Sequence, residues 1–287
     1  MTTVISPAQQ VEKLDETEAL TGNTPLIPIK TNQQDVQPQL FAKLENRQLG
    51  RSTAARVAFS IVRTAILEGK LVGDRMLLDT AGTQMALAYG AVCARLSIPV
   101  TLVMAESTSA DTLVMLKAFG VKVVLEQEEN ISGRLADIQA QEPEAYFFAD
   151  HENQDDVWKV HYLGTAKEIY HQTQGQLTHF VADVAQRSLL LGTGKKLKEV
   201  NKDIQLVALQ QQGSMDAQAE NHHPYADKTI LVDADMVDSR IDTFAKEAGM
   251  IISKQSAINL IGLEALAATL EDGVLVTVFP EDSSIAN

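Results

Sequence analysis

The side chains with most chemistry to offer fall into four groups. Gly192-Thr193-Gly194-Lys195-Lys196 has the look of a phosphate-loop tail, in which glycine N–H groups and a lysine gather around phosphate. Such a loop needs glycine five residues before the Gly-Lys pair and a hydroxyl residue after it. Leu189 and Lys196 stand there, so the segment reads as helix with a basic face. His222-His223 offers two imidazoles, but adjacent side chains point apart and no third ligand stands near, so no metal site is expected. Asp233-Ala234-Asp235 precedes a helical stretch and reads as its N-cap. Cys93 sits mid-helix among alanines and reads as a small core residue, not a nucleophile. No Ser/His/Asp order and no carboxylate pair stands out.

The elements that would position these groups alternate. Strands are expected at Leu40–Leu44, Arg75–Asp79, Val100–Met104, Val121–Leu125, Tyr146–Ala149, Thr178–Val184, Ile204–Leu209, Ile230–Val232 and Val274–Phe279. Between them the 3.6-residue period predicts helices. Ser52–Glu68 has Ser52 as N-cap, Gly82–Leu96 is alanine-rich, and Ser109 caps a helix that stops at Gly120. Further helices are predicted near 131–141, 157–173, 188–200, 236–248 and 256–271. Residues 1–20 read as polar and frayed, and Gln210–Asp227 as a polar, aperiodic loop. Short apolar strands alternating with helices specify an α/β fold with parallel sheets covered on both faces.

Composition narrows the class. The 287 residues are 45% hydrophobic and 22% charged, with a net charge of −14. That charge repels phosphate backbones and anionic lipid, so neither nucleic acid nor membrane is an expected partner. A single cysteine excludes an internal disulfide framework. The first 25 residues lack an apolar signal core, and the longest apolar stretch, Met85–Ala105, is broken by Arg95, which gives a cytoplasmic expectation.

From Thr21 to about Pro280 the chain resembles the fold-type II pyridoxal-phosphate enzymes, specifically the B-type cysteine synthases, which are O-acetylserine sulfhydrylases. Thr21-Gly22-Asn23-Thr24-Pro25-Leu26 is similar to the family's IGNTPL, Lys43-Leu44-Glu45 to its KLE, Met115–Gly120 to its MRAYG region, and Thr178-His179-Phe180-Val181 to its THFV. The resemblance implies a tryptophan-synthase-beta-like fold of two three-layer αβα domains with mainly parallel sheets. It places the smaller domain at 39–149 and the larger at 16–38 plus 150–287. Against the family, the chain stops at Asn287, before the usual C-terminal segment.

The same resemblance marks where this chain departs from the family's site. The motif GSVKDR, whose lysine holds the cofactor as a Schiff base, meets Arg51-Ser52-Thr53-Ala54-Ala55-Arg56, so Ala54 takes the lysine position. Alanine has no amine to bind the cofactor or move a proton. The substrate loop TSGNTG meets Thr80-Ala81-Gly82-Thr83-Gln84-Met85, with Thr83 in place of the asparagine. The phosphate cup GTTGT meets Ala185-Gln186-Arg187-Ser188-Leu189. The glutamine of DQF meets His151, and the serine of GISSG, which faces the pyridine nitrogen, meets Ser256.

Scaffold motifs kept beside altered cofactor and substrate positions imply a catalytically inactive cysteine synthase-like pseudoenzyme with a binding or regulatory role. On this reading no cofactor is expected. The alternatives are a functioning cysteine synthase, with pyridoxal phosphate, or cofactor-independent chemistry in the same cleft using His151, Arg187 or Lys254. The implied partners are a second copy in a homodimer, the tail of serine acetyltransferase, or an active cysteine synthase paralogue. Met85, Gln186 and Leu189 are expected either to fill the inherited pocket or to leave an anion site at Arg187.

Overall fold

The structure is a computed structural model and describes residues 7–30, 38–212 and 226–285, with side chains from residue 12. His222-His223 and most of the loop 210–227 lie outside the described residues. In chain order the elements are α1 (Pro7–Glu18), β1 (Leu26–Ile29), β2 (Gln39–Leu44), α2 (Ala54–Leu67), β3 (Met76–Thr80), α3 (Thr83–Leu96), β4 (Val100–Ala105), α4 (Ala110–Ala118), β5 (Lys122–Glu126) and α5 (Ile131–Gln141). Then follow β6 (Tyr146–Phe148), α6 (Ala166–Gln172), β7 (His179–Asp183), α7 (Arg187–Val200), β8 (Gln205–Gln211), β9 (Lys228–Val232), α8 (Val237–Ala248), α9 (Lys254–Ala267) and β10 (Val274–Phe279).

The chain divides into two compact units. The first holds the residues up to Gly22 together with Gln48–Asp155, and the second holds Asn23–Arg47 and the chain from Asp156. These boundaries depart from the expected 39–149 and 16–38 plus 150–287. The reason is the pairing of β2: it runs antiparallel to β1 and parallel to β10, so residues 39–47 go with the second unit's sheet. Residues 150–155 stay with the first unit, tied to the end of β3.

In the first unit four parallel strands lie in the order β5-β4-β3-β6. Leu78 and Val103 face α5, packing with Leu135 and Tyr146. Leu77 and Asp79 point the other way by the period-two rule. Tyr89 of α3 bonds Asp79, which places α3 on that opposite face. The expected frayed start is corrected from Pro7 on. Pro7 opens α1, where proline's missing N–H costs nothing, and Leu14 and Thr17 are buried. Lys13 Nζ donates to Ser97 Oγ at 2.8 Å. Ser52 is not the cap of α2. It is extended (φ −157°, ψ 169°), and its buried hydroxyl has no hydrogen-bond partner among the described residues. Just before it, Gly50 has φ +66°, and a Cβ there would stand 2.7 Å from Ala88 Cα, so only glycine lets this turn reach α3.

In the second unit six strands lie in the order β1-β2-β10-β7-β8-β9. Alternation sorts the side chains into two layers. Leu40, Ala42, Val181, Leu209 and Leu275 pack with α8 and α9, while Phe180, Ala182, Leu206, Val276 and Val278 pack with α6 and α7. The central strand β10 is buried at all six positions. Its ladder to β7 covers only Leu275↔His179 and Val276↔Phe180. Beyond that, side chains bridge the two strands. Thr277 Oγ1 donates to Val181 O at 2.8 Å, and Asn259 of α9 accepts from Asp183 N and donates to Val278 O.

The glycines of the apparent phosphate loop are packing residues. A Cβ at Gly192 would run into Trp158 O, and one at Gly194 would stand 2.7 Å from Leu206 Cδ1. The lysines that follow lie over aromatic rings, Lys195 over Trp158 at 4.5 Å and Lys196 over Tyr162 at 4.8 Å. Gly192→Ala should therefore destabilise the protein by about 1–3 kcal/mol through overpacking, read as a lower urea midpoint. An unchanged midpoint would mean the segment 158–162 yields without cost.

Candidate functional site

Open α/β sheets bind ligands beyond the carboxyl ends of their strands, where neighbouring connections diverge. In the first unit that edge lies between β3 and β6. Asp79, one residue before the end of β3, is 1% exposed. Its Oδ1 accepts from Thr80 N at 2.9 Å. Its Oδ2 accepts from Tyr89 OH at 2.9 Å, pairs with His151 Nδ1 at 3.0 Å, and takes His151 N at 3.3 Å. Burial first, and the Asp79 carboxylate second, push the Tyr89 phenol well above its usual range, so it stays a donor.

Beside this cluster runs the segment expected to hold substrate. Thr80 is half-buried, Ala81 buried and Gly82 exposed, and Thr83 and Gln84 open α3. Gly82 is the N-cap residue of α3 and, having no side chain, supplies no side-chain cap. His151 adjoins this segment through Asp79. Ala54 is half-buried at the first position of α2. Cys93, by contrast, is fully buried, and burial alone pushes its thiol up, which makes it an inert core residue.

In the second unit the corresponding edge carries the start of α7. Ala185 and Arg187 are exposed, Gln186 and Ser188 half-buried, and the side chain of the N-cap residue Gln186 makes no capping hydrogen bond. Gln186 Oε1 is buried without a partner among the described residues. Leu189, the third residue of α7, is buried in the cluster that holds Phe180, Leu190 and Leu197. Ser256 is fully buried. Its Oγ lies 2.9 Å from Ser253 Oγ, and its N–H is taken by the same Ser253 oxygen, which caps α9. Lys254 is exposed beside Asp238. Asp233 does cap its turn, accepting from Asp235 N. Among the described residues no three or more His, Cys, Asp or Glu side chains gather as a metal site. No helix among them is long and apolar enough to cross a membrane.

Sequence reasoning passed over Lys43 as a working group. Its side chain is fully buried, with Nζ 2.7 Å from Glu168 Oε2. It donates to Thr24 O at 2.7 Å and to Gln172 Oε1 at 2.9 Å. Thr24 Oγ1 in turn donates to Glu45 Oε1. All three protons of the ammonium are directed at acceptors, so Lys43 is a structural cation.

The family model described as pyridoxal-phosphate dependent enzyme matches residues 17–224. A cysteine synthase of Aquifex aeolicus is 30% identical, the match covering 91% of this chain and 87% of that protein. O-ureido-L-serine synthase has the same fold, with a TM-score of 0.83 at 21% identity, covering 95% of this chain and 92% of that one. A lysine-to-alanine mutant of that synthase, with O-ureido-L-serine bound, matches with a TM-score of 0.81 at 20% identity over 95% and 90% of the two chains.

These matches overturn the expectation that no cofactor is involved: the family and the cysteine synthase relative point to pyridoxal phosphate. At the phosphate end this chain offers Ser188 and the exposed Arg187 guanidinium at the start of the 14-residue α7, which fit an anion. The same turn carries Asp183, whose Oδ1 accepts from Ala185 N at 2.7 Å, so that N–H is already taken.

Replacing Lys43 with methionine should cost about 3 kcal/mol, since it strands Glu168 and the Thr24 carbonyl beside an apolar chain. Urea unfolding at neutral pH measures this. A loss under about 0.5 kcal/mol would show the buried pair to be dispensable.

Proposed function

The chain belongs to the pyridoxal-phosphate dependent enzyme family, and from that premise we propose that it is a cysteine synthase-like member that binds ligand and cofactor without a covalent lysine at position 54. Its role on this reading is binding or regulation, not cysteine formation. The observation that carries the proposal is Ala54 at the head of α2, where the resemblance places the Schiff-base lysine.

Pyridoxal phosphate, when bound, supplies an electron sink for carbanion chemistry on an amino acid. The protein's part is to hold and orient. The first turn of α7, with Arg187 and Ser188, would bind the phosphate, and the first turn of α3, with Thr80 and Thr83, would bind a ligand carboxylate. An O-substituted serine is the ligand class this favours. The relatives include a cysteine synthase, and a lysine-to-alanine mutant of a fold neighbour is known with O-ureido-L-serine bound. We propose a homodimer, with a serine acetyltransferase tail or an active paralogue as protein partner. The 30% identity to a cysteine synthase favours a second reading, a working transferase.

One set of measurements separates the two. The protein is incubated with pyridoxal phosphate, reduced with borohydride and digested for mass spectrometry, and its cysteine output from O-acetyl-L-serine and sulfide is followed. The expected result is reversible binding of pyridoxal phosphate, heat on titration with O-acetyl-L-serine, no modified lysine and no cysteine above the protein-free rate. A reduced lysine adduct together with catalytic cysteine formation would replace this reading with the second.

A further inference from the structure

The proton arrangement around His151 is fixed by the groups that face it. A carboxylate accepts hydrogen bonds, and Asp79 Oδ2 also receives the Tyr89 phenol, so the 3.0 Å contact to His151 Nδ1 places the ring proton on Nδ1. In the neutral ring that leaves Nε2 as a free acceptor. The imidazole is held by three constraints: its Nδ1 contact, its own backbone N–H on the same carboxylate, and the edge-on Tyr89 ring at 6.2 Å. Asp79 is 1% exposed and the His151 side chain 15%, so the carboxylate is sealed while part of the histidine side chain meets solvent. The pair stands at the carboxyl ends of the neighbouring strands β3 and β6, with Tyr89 reaching it from α3. A buried acid orienting a partly exposed imidazole is the arrangement of a general base.

We propose that His151, positioned by Asp79 and Tyr89, is a general base that hydrolyses O-acyl esters of serine at this edge without pyridoxal phosphate. The substrate class rests on the reading of the chain as a binder of O-substituted serines. Water attacks the ester carbonyl carbon and gives its proton to Nε2. The acyl carbon–oxygen bond then breaks, and the serine oxygen takes that proton back from Nε2. The products are serine and a carboxylic acid, and water is the only co-reactant. Asp79 and Tyr89 are positioning residues: they set the tautomer and ring plane and stabilise the imidazolium formed in the step.

The experiment follows acetate release from O-acetyl-L-serine by proton NMR, using the full chain with and without added pyridoxal phosphate. p-Nitrophenyl acetate serves as a second ester without an amino-acid carboxylate, and calorimetric titration measures O-acetyl-L-serine binding. The expected result is acetate release in both conditions, reduced about a hundredfold or more in His151→Gln. Ligand binding and circular dichroism should stay unchanged in that variant. Asp79→Asn tests positioning: 15N shifts of the His151 ring should show Nδ1–H dominant in the parent and a redistributed tautomer in the variant, with a slower rate. Tyr89→Phe repeats this test should Asp79→Asn fail to fold. Binding of O-acetyl-L-serine with acetate release no faster than buffer, or release untouched by His151→Gln, overturns the proposal and leaves the binding reading standing. Absence of binding with His151-dependent cleavage of p-nitrophenyl acetate supports the base and removes the serine-ligand reading instead.

Discussion

The ammonium of Lys43 is buried beside Glu168, and the second unit is arranged around satisfying it. Removing a lone charge from water costs far more than any one contact returns, so it is tolerated only with full pairing. The acceptors come from three places: Thr24 just before β1, and Glu168 and Gln172 on α6. Gln172 Nε2 also bonds Thr24 O, closing the ring of contacts. The Thr24 and Lys43-Leu44-Glu45 motifs that tie this chain to its family thus meet at one point. They hold an N-terminal hairpin against a helix more than a hundred residues away. Such motifs persist because the fold needs them, whatever becomes of the chemistry.

Scaffold and candidate site differ in how their polar groups are held. The groups that hold the sheets together are buried and mutually saturated, as at Lys43 and Asn259. The groups at the strand ends are half-exposed helix starts, where main-chain N–H groups can favour an anion whatever the side chains are. Neither Gly82 before α3 nor Gln186 before α7 makes a side-chain capping hydrogen bond. A helix end keeps its affinity for anions through changes of side chain, since dipole and N–H groups belong to the main chain.

Most of the architecture was legible because hydrophobic period and local capping decide it. The strand Val274–Phe279, the Ser109 cap and the αβαβ alternation follow from the residues alone. What escaped needed partners distant in sequence. Ser52 has the type of a cap, yet the turn at Gly50 holds it extended. The start of α1 looked too polar, although Pro7 and the spacing of Leu14 and Thr17 carried a signal. Assigning β2 to the smaller domain followed its place in the chain, whereas its ladder partners decide otherwise. The Asp79–Tyr89–His151 group joins residues up to 72 positions apart, and only the pairing of β3 with β6 brings them together. Asp79, an acid at the end of an otherwise apolar strand, was the available clue.

The placement of β2 between β1 and β10 has a consequence for how the protein is made. β10 leaves the ribosome more than two hundred residues after β2, so the hairpin of β1 and β2 waits through most of translation with one edge unpaired. The first unit's sheet, drawn from one continuous stretch between β3 and β6, is complete long before that. Nascent chains would thus carry a finished four-stranded sheet beside an exposed strand edge, the form that chaperones shield and neighbouring chains capture. A late stall or a truncation before β10 removes the strand that joins the β1–β2 hairpin to the β7-β8-β9 ladder, so both β2 and β7 are left with an unpaired edge.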